Sequence, residues 1–386
     1  MSRMDVHGTV ADGFEQVREA FAAVVAEQDG QVGAQLTAYA HGRRVVDLWA
    51  GSEVSGDTLT GVYSSTKGAA TLVAALLVQE GVLDLDEPVA RHWPEFAAAG
   101  KGGITLRDVL THRSGVIGVD GGLPAAELAD DAVIARRLAG QRPYWRPGSA
   151  YGYGGFVSFA MVNEVIRRVT GQSLQQVYDE RIRVPYGLDL YLGLPEAEEG
   201  RFRPIRWWTA TPDQEAAFWS NLPGPHSILG IGYGLNSTPP LDQVAFANAR
   251  AVRAGGQASA GGVGSARGLA GLYAAAVWGI DGQPPLLKAD TVGEFSMLHS
   301  TGADLVRGDQ GNYAVGFQAK GLRYGFLSAN AFGHDGSAGS EAFADPATGI
   351  AFGYTRRRFG FGWSYPEHDQ LAAAVHGAAT ALEEQA

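Results

Sequence analysis

The sequence predicts an α/β domain that is built from both ends of the chain, with an all-helical domain inserted between them. Three observations lead to this fold class. Strand patterns occur near both ends of the chain, apolar residues at helical spacing dominate its middle, and a further helical pattern closes it. We expect the strands from the two ends to share one central antiparallel sheet flanked by helices.

The first elements are a helix and a hairpin. Apolar residues at helical spacing predict a helix over residues 13–28. Residues 35–40 and 44–49 are rich in strand formers, and the glycine-containing run 41–43 between them has the composition of a hairpin loop. Two antiparallel strands should therefore follow the first helix.

The middle of the chain is expected to be helical, and the last part returns to strands. The predicted helices lie near residues 65–80, 105–112, 125–140, 155–170 and 173–182, then up to about residue 277, over 289–299 and over 368–383. The predicted late strands cover residues 313–319, 341–344 and 350–355. We assign residues 1–75 and 225–386 to the sheet domain and residues 76–224 to the inserted helical domain, with the functional site at their junction.

Composition excludes several classes of protein. The chain has 386 residues, 45% of them hydrophobic and 18% charged, which predicts a soluble globular protein with a large core. The net charge of -11 argues against nucleic acid or an anionic membrane as a partner, because both require a basic face. The chain has no cysteine, so disulfides and thiolate sites are excluded.

Residues 1–35 place acidic and basic residues among the apolar ones, unlike the apolar core of a signal peptide. The longest uncharged apolar stretch, residues 68–79, is shorter than the ~20 residues that cross a bilayer. We therefore expect a cytoplasmic protein without a membrane segment.

The most informative residue is a lysine. Lys67 is one of only four lysines and is the only charged residue between Asp57 and Glu80. It lies in a segment that is predicted to be a buried helix. Burial of an ammonium without a carboxylate lowers its pKa, so that the neutral amine becomes available as a general base.

Ser64 lies three residues before Lys67. Positions i and i+3 share a helix face, so this spacing brings the Ser64 hydroxyl within reach of the Lys67 amine as a nucleophile with its base. The first turn of a helix also favours a developing negative charge. The alternative is structural, with Ser64 as a helix cap and Lys67 extended to solvent.

Three segments together resemble a known family. Ser64-Ser65-Thr66-Lys67 is similar to the first box of the serine β-lactamase and penicillin-binding superfamily, and within it of the class C-like esterases known as family VIII carboxylesterases. The run from Trp145 to Tyr153 resembles the tyrosine box of the esterases. His334-Asp335-Gly336 stands where lactamases have Lys-Thr-Gly. The similarity spans roughly residues 15 to 360.

The resemblance implies a two-domain β-lactamase-like fold and a set of roles. Tyr153 is the implied second base, with Tyr151 close enough to remain an alternative. His334, Asp335 and Gly336 form the implied substrate-binding box, although His334 is also interpretable as a surface turn histidine. The glycine-rich strand edge should let a substrate approach closely, and the amide N–H groups of Ser64 and Ser337 would then form an oxyanion hole.

Two departures from the lactamases bear on the substrate. Gly155 replaces an asparagine that holds the side-chain amide of a β-lactam, and His334 with Asp335 replaces the lysine that meets its carboxylate. An anionic substrate is therefore expected to meet no compensating cation there. Aromatic residues could wall an acyl pocket, or they could belong to the core; these are Tyr144, Trp207, Trp208, Phe218, Trp219 and Trp363.

The sequence thus predicts a serine hydrolase that cleaves small carboxylic esters, with short acyl chains, through an acyl-enzyme intermediate. In this mechanism Lys67, assisted by Tyr153, deprotonates Ser64. No α/β-hydrolase elbow, metal-ligand spacing or phosphate loop occurs, so we expect neither a cofactor nor a metal. Two alternatives remain: hydrolysis of a β-lactam or D-aminoacyl amide on the same residues, and a catalytically silent penicillin-binding-like sensor or scaffold. The oligomeric state is left open.

Overall fold

The structure is a computed structural model that describes residues 5–28, 33–308 and 311–383. The predicted domains also include residues 1–4, 29–32, 309–310 and 384–386, which lie outside the described residues. The strands are β1 (His7–Val10), β2 (Ala34–Ala40), β3 (Arg43–Ala50), β4 (Thr60–Gly61), β5 (Leu190–Tyr191), β6 (Val263–Gly264), β7 (Gln318–Ala319), β8 (Phe332–Asp335), β9 (Glu341–Asp345) and β10 (Ile350–Arg356).

Helices of very different lengths surround these strands. The helices are α1 (Glu15–Glu27), α2 (Thr66–Gln79), α3 (Leu106–Leu110), α4 (Ala125–Leu128), α5 (Asp131–Ala139), α6 (Ser158–Thr170), α7 (Leu174–Tyr178), α8 (Pro212–Ser220), α9 (Ile228–Gly232), α10 (Gln243–Asn248), α11 (Arg250–Gly255), α12 (Ala266–Val277), α13 (Ala289–Ser296), α14 (Lys320–Arg323) and α15 (Glu367–Glu383). A short 3₁₀ turn, Tyr63–Ser65, leads directly into α2.

Both ends of the chain contribute to one seven-stranded sheet. Its order is β1-β3-β2-β10-β9-β8-β7, and every neighbouring pair is antiparallel. The junction between the two ends is the β2–β10 pair, in which Ile350 lies opposite Ala40. A small second sheet, β4-β6-β5, lies outside it. The prediction of one antiparallel sheet from both termini is confirmed.

Alternate residues of the central strands face two different helical layers. Phe343 and Phe352 belong to the apolar cluster that includes residues of α1 and α15. Ala342 and Ala351 belong to the cluster on the other face, which includes α2 and α12. Small residues let α12 lie close to the sheet, since a Cβ on Gly353 would come within 2.5 Å of its backbone. The sheet is therefore covered on both faces, with α2 on the face that carries the functional site.

Most predicted elements are confirmed, and two need correction. Residues 125–140 form two helices because the Asp130 side chain accepts hydrogen bonds from the amides of residues 132 and 133 and starts α5. Residues 313–319 form only the two-residue β7, because Gly316, with φ of 76°, turns the chain two residues before it. Helices α8 to α11 and α14, and the short strands β1, β4, β5 and β6, were not predicted. The exact domain boundaries stay a prediction.

No helix in the described part of the chain combines the length and apolar character that a membrane crossing requires.

Candidate active site

Ser64 and Lys67 lie where the Tyr63–Ser65 turn enters α2. Ser64 is 8% exposed, and Lys67 is entirely buried one helical turn further on. The Lys67 Nζ lies 3.3 Å from the Ser64 Oγ. The same amine donates to the carbonyl oxygens of Gly155 at 2.6 Å and Ser259 at 2.8 Å. The two carbonyls hold the amine against the serine hydroxyl.

The environment of Lys67 favours its neutral form. Burial lowers the pKa of Lys67 well below its ordinary value, and the negative charge of Asp335 acts in the opposite direction without reversing the shift. No carboxylate of the described residues lies within ion-pair distance of its Nζ. A neutral amine has a free lone pair, so it is able to accept the proton of the neighbouring Ser64.

Tyr153 lies beside Ser64 in the same cleft. Ser64 forms a hydrogen bond with its phenol, and the Lys67 Nζ is 4.9 Å from the centre of its ring. Burial raises the pKa of Tyr153 well above its ordinary value, so the phenol keeps its proton. The hydroxyl of Tyr151 donates instead to the carbonyl of Gly302. Of the two tyrosines considered from the sequence, Tyr153 is therefore the one beside Ser64.

Serine hydroxyls join the Ser64 turn to the strands that face it. The Ser65 Oγ lies 2.8 Å from the Ser340 Oγ and 3.1 Å from the carbonyl oxygen of His334. The Ser340 Oγ in turn donates to the carbonyl of Val62 at 2.8 Å. All of these groups are buried. This network fixes the end of β8 relative to the turn that carries Ser64.

Two amides at this junction are available to a substrate. Ser64 and Ser337 both line one cleft, and neither backbone N–H donates to an acceptor in residues 5–28, 33–308 or 311–383. Gly336 allows the end of β8 to lie close to the turn that carries Ser64, because a Cβ at residue 336 would lie 2.3 Å from the Val62 carbonyl oxygen. The arrangement is suited to bind an oxyanion.

The residues of the His334-Asp335-Gly336 box lie in two different environments, the cleft and the core. Asp335 and Gly336 line the cleft, whereas His334 is entirely buried in β8 and is no surface residue. Burial lowers the pKa of His334 to about 3, so its ring is neutral. Its Nδ1 lies 2.8 Å from the Asp335 carbonyl oxygen, and its Nε2 has no hydrogen-bond partner among the described residues.

The family model described as Beta-lactamase matches residues 17–377. The chain belongs to the β-lactamase family.

Relatives within the β-lactamase family include named esterases. The chain is 30% identical over 339 residues to "Esterase/beta-lactamase LipL" of Mycobacterium tuberculosis, which covers 84% of this chain and 77% of LipL. It is 28% identical over 309 residues to "Esterase EstB" of Burkholderia gladioli, covering 75% and 71% of the two chains.

Solved structures of this family give the same result. EstA from Arthrobacter nitroguajacolicus Rue61a is 40% identical, with a TM-score of 0.89 over 97% of this chain and 98% of EstA. A family VIII carboxylesterase is 32% identical, with a TM-score of 0.86 over 97% and 100% of the two chains. The predicted β-lactamase-like fold and the predicted resemblance to family VIII carboxylesterases are confirmed.

The cleft of this β-lactamase-family chain also contains two cationic side chains. Arg307 and Arg323 line it together with Asp335. Burial opposes ionisation of Asp335, but the positive charges of Lys320 and Arg307 outweigh it and hold the pKa of that carboxyl well below its usual range. The expectation that no cation faces an anionic substrate is therefore wrong. The arginines were missed because they follow no motif.

Tryptophan side chains form an aromatic wall of the cleft, which has a volume of about 940 Å³. Trp207, Trp219 and Trp363 line it, while Trp208 and Phe218 pack behind them with ring centres 4.8 Å apart. Tyr144 is not part of the wall, since its hydroxyl bonds Asp120 elsewhere. In the described residues, no group of three or more His, Asp or Glu side chains is placed to hold a metal.

Proposed function

We propose that this protein is a serine hydrolase that cleaves carboxylic esters through an acyl-enzyme intermediate. The observation that carries the proposal is the buried amine of Lys67, 3.3 Å from the Ser64 hydroxyl at the floor of an open cleft. The relatives named as esterases support the same activity.

Acylation follows from the protonation states of the three side chains. Lys67 takes the proton of Ser64 as the Oγ bonds to the ester carbonyl carbon, and the Ser64 and Ser337 amides hold the resulting oxyanion. As the bond to the alcohol breaks, Tyr153 gives its proton to the leaving oxygen. The Lys67 ammonium then returns a proton to the phenolate, so the charges balance and the Ser64 ester remains.

Deacylation uses water in place of the alcohol. Lys67 accepts a proton from the water as its oxygen bonds to the acyl carbon. The bond to the Ser64 Oγ then breaks, the proton returns to this oxygen, and the acid is released. Lys67 is thus neutral at the start of both half-reactions.

The substrate that fits best is a neutral ester with a short acyl group and a bulky apolar alcohol. Trp207, Trp219 and Trp363 offer flat apolar surface along one wall, and Trp219 is 42% exposed. An aromatic alcohol packed on them removes apolar area from water without the desolvation of a charge. A cytoplasmic location stays a prediction from the sequence.

The direct test is Ser64→Ala in the full chain. We expect this variant to lose hydrolysis of p-nitrophenyl butyrate by at least about 10³-fold and to lose labelling by a fluorophosphonate probe. Ser149→Ala is the matched control, because this serine is exposed and its hydroxyl donates to the nearby backbone carbonyl of Arg146. A wild-type protein that resists the probe would instead support the silent sensor or scaffold.

Hydrolysis of β-lactams is the second candidate. Arg307 and Arg323 on the cleft favour it, because a β-lactam carries a carboxylate, and one relative is named both esterase and β-lactamase. Gly155 opposes it, since no side-chain amide stands at that position. Comparison of kcat/KM for nitrocefin and p-nitrophenyl butyrate separates the two functions, and comparable values would favour the lactamase.

A further inference from the structure

We propose that Asp304 is a positioning residue that holds the phenol of Tyr153 in place for protonation of the leaving alcohol. This inference rests on the proposed ester hydrolysis. Asp304 lies 151 residues after Tyr153 in the sequence, so only the fold brings the two together.

The carboxylate of Asp304 binds the backbone of Tyr153 directly. Its Oδ1 accepts the amide N–H of Tyr153 at 3.1 Å, and those of Val306 at 2.8 Å and Arg307 at 3.0 Å. One oxygen therefore connects the segment of the catalytic tyrosine with a loop that reaches the cleft at Arg307. The side chain is 1% exposed, so water does not compete for these bonds.

The neighbouring amides are fixed as well. The amide N–H of Gly152 donates to the carbonyl oxygen of His112 at 3.0 Å. The amide N–H of Gly154 donates to the Nδ1 of the same histidine at 3.4 Å. Three successive amides, at residues 152–154, thus have buried acceptors. The one that belongs to Tyr153 itself depends on Asp304 alone among the described residues.

Loss of this acceptor should displace the phenol without removing it. A buried amide without a partner favours a shifted backbone. A displacement of about 1 Å is enough to lower a rate by about 10²-fold. Because the proton of Tyr153 is needed when the leaving group is a strong base, esters of alkyl alcohols should suffer more than esters of p-nitrophenol.

The experiment compares kcat/KM for ethyl butyrate and p-nitrophenyl butyrate, which share one acyl group. Asp304→Ala is expected to lower the value for ethyl butyrate by about 10²-fold and that for p-nitrophenyl butyrate by less than about tenfold. Asp304→Asn keeps an acceptor oxygen and should restore both values to within a few-fold of wild type. Asp304→Glu keeps the charge but moves the oxygen, so it should reproduce the selective loss even if the alanine variant does not fold.

The same measurement in a Tyr153→Phe background tests whether Asp304 acts through the tyrosine. We expect Asp304→Ala to add no further difference between the two esters there. Equal losses on both esters, or full activity of Asp304→Ala on ethyl butyrate, would overturn the inference. If Tyr153→Phe hydrolyses both esters normally, the proposed role of Tyr153 fails and the positioning role of Asp304 fails with it. The Ser64→Ala variant tests the proposed hydrolase function separately. If it loses all esterase activity, that function stands whichever result the Asp304 variants give.

Discussion

Three of the four lysines are entirely buried, and their partners differ. Lys320 lies 2.6 Å from the carboxylate of Glu341. Lys101 donates to three backbone carbonyls, at 2.8, 3.0 and 2.6 Å. Lys67 has two carbonyls and the hydroxyl of Ser64. Burial of a lysine therefore does not by itself identify a general base, and contact with a nucleophile on an open cleft does.

Lys67→Met should abolish activity, whereas Lys101→Met should only lower stability. Loss of the base is expected to reduce kcat/KM for p-nitrophenyl butyrate by about 10²–10⁴-fold and to prevent probe labelling of Ser64. Lys101→Met leaves buried carbonyls unpaired and should cost about 1–3 kcal/mol of unfolding free energy, with normal kcat in the folded protein. Normal labelling of Lys67→Met would show that another group activates the serine.

The pH dependence of kcat/KM should follow the ionisation of the Lys67 amine. Only the neutral amine accepts a proton, so kcat/KM falls as the pH decreases through its pKa, and burial places that pKa well below the ordinary value. The charge of Asp335 raises the pKa of Lys67, so Asp335→Asn should move the acid limb to lower pH. A profile of kcat/KM against pH for both proteins measures the shift. A limb that moves to higher pH would contradict this assignment.

At the level of elements, the approach of β8 to the Ser64 turn decides whether the two amides can act together. Gly336 lies where that approach is tightest, since a Cβ would lie 2.3 Å from both the Val62 carbonyl oxygen and the Ser340 Oγ. The backbone oxygen has little freedom to move, because it accepts a hydrogen bond in the serine network. A side chain here must push the strand end away from the turn.

Gly336→Ala is therefore expected to lower kcat by about 10²–10³-fold, comparable to loss of one oxyanion donor, with a smaller change in KM. Gly103→Ala is the matched control, because no atom lies within 4 Å of a Cβ at that position and its φ is not positive. Steady-state kinetics on p-nitrophenyl butyrate and thermal melts of both variants give the comparison. An unchanged kcat in Gly336→Ala would show that the position of the β8 end does not contribute to catalysis.

The elements that the sequence predicts well are those with strong apolar periodicity or clear turn residues. The hairpin of β2 and β3, and the helices α2 and α15, fall in this class. Helix α8 was missed because it buries no residue and so has no apolar periodicity to detect. His334 was open to interpretation as a surface residue because a glycine-rich run resembles a turn, although His334 lies in the buried strand β8.

At the scale of the whole molecule, the site combines groups from distant parts of the sequence. The carbonyls that hold Lys67 belong to residues 88 and 192 positions away. Backbone carbonyls carry no residue-type signal, and neither does the contact of Asp304 with Tyr153. The sequence therefore predicts the reactive side chains, but their supporting contacts follow only from the tertiary structure.

The aromatic wall yields a prediction about substrate preference. Trp219→Ala should lower kcat/KM for 2-naphthyl acetate by about 5–30-fold, since a large apolar contact is lost, and should change that for ethyl acetate by less than about twofold. Trp49→Ala removes a partly exposed tryptophan from β3, away from the cleft, and serves as the control. Equal effects of Trp219→Ala on both acetates would show that the naphthyl group of the ester does not pack on Trp219.

The β2–β10 pairing sets a time scale for biosynthesis. Once β2 leaves the ribosome it pairs with β3, but its other edge waits for β10, which begins at Ile350. At ~5–20 residues per second, the partner strand emerges roughly 15–60 s later. During this interval the nascent chain exposes the unpaired edge of an apolar strand, which is a site for wrong association. Until its last strand is made, the first hairpin therefore lacks the partner that covers this edge of β2 in the folded protein.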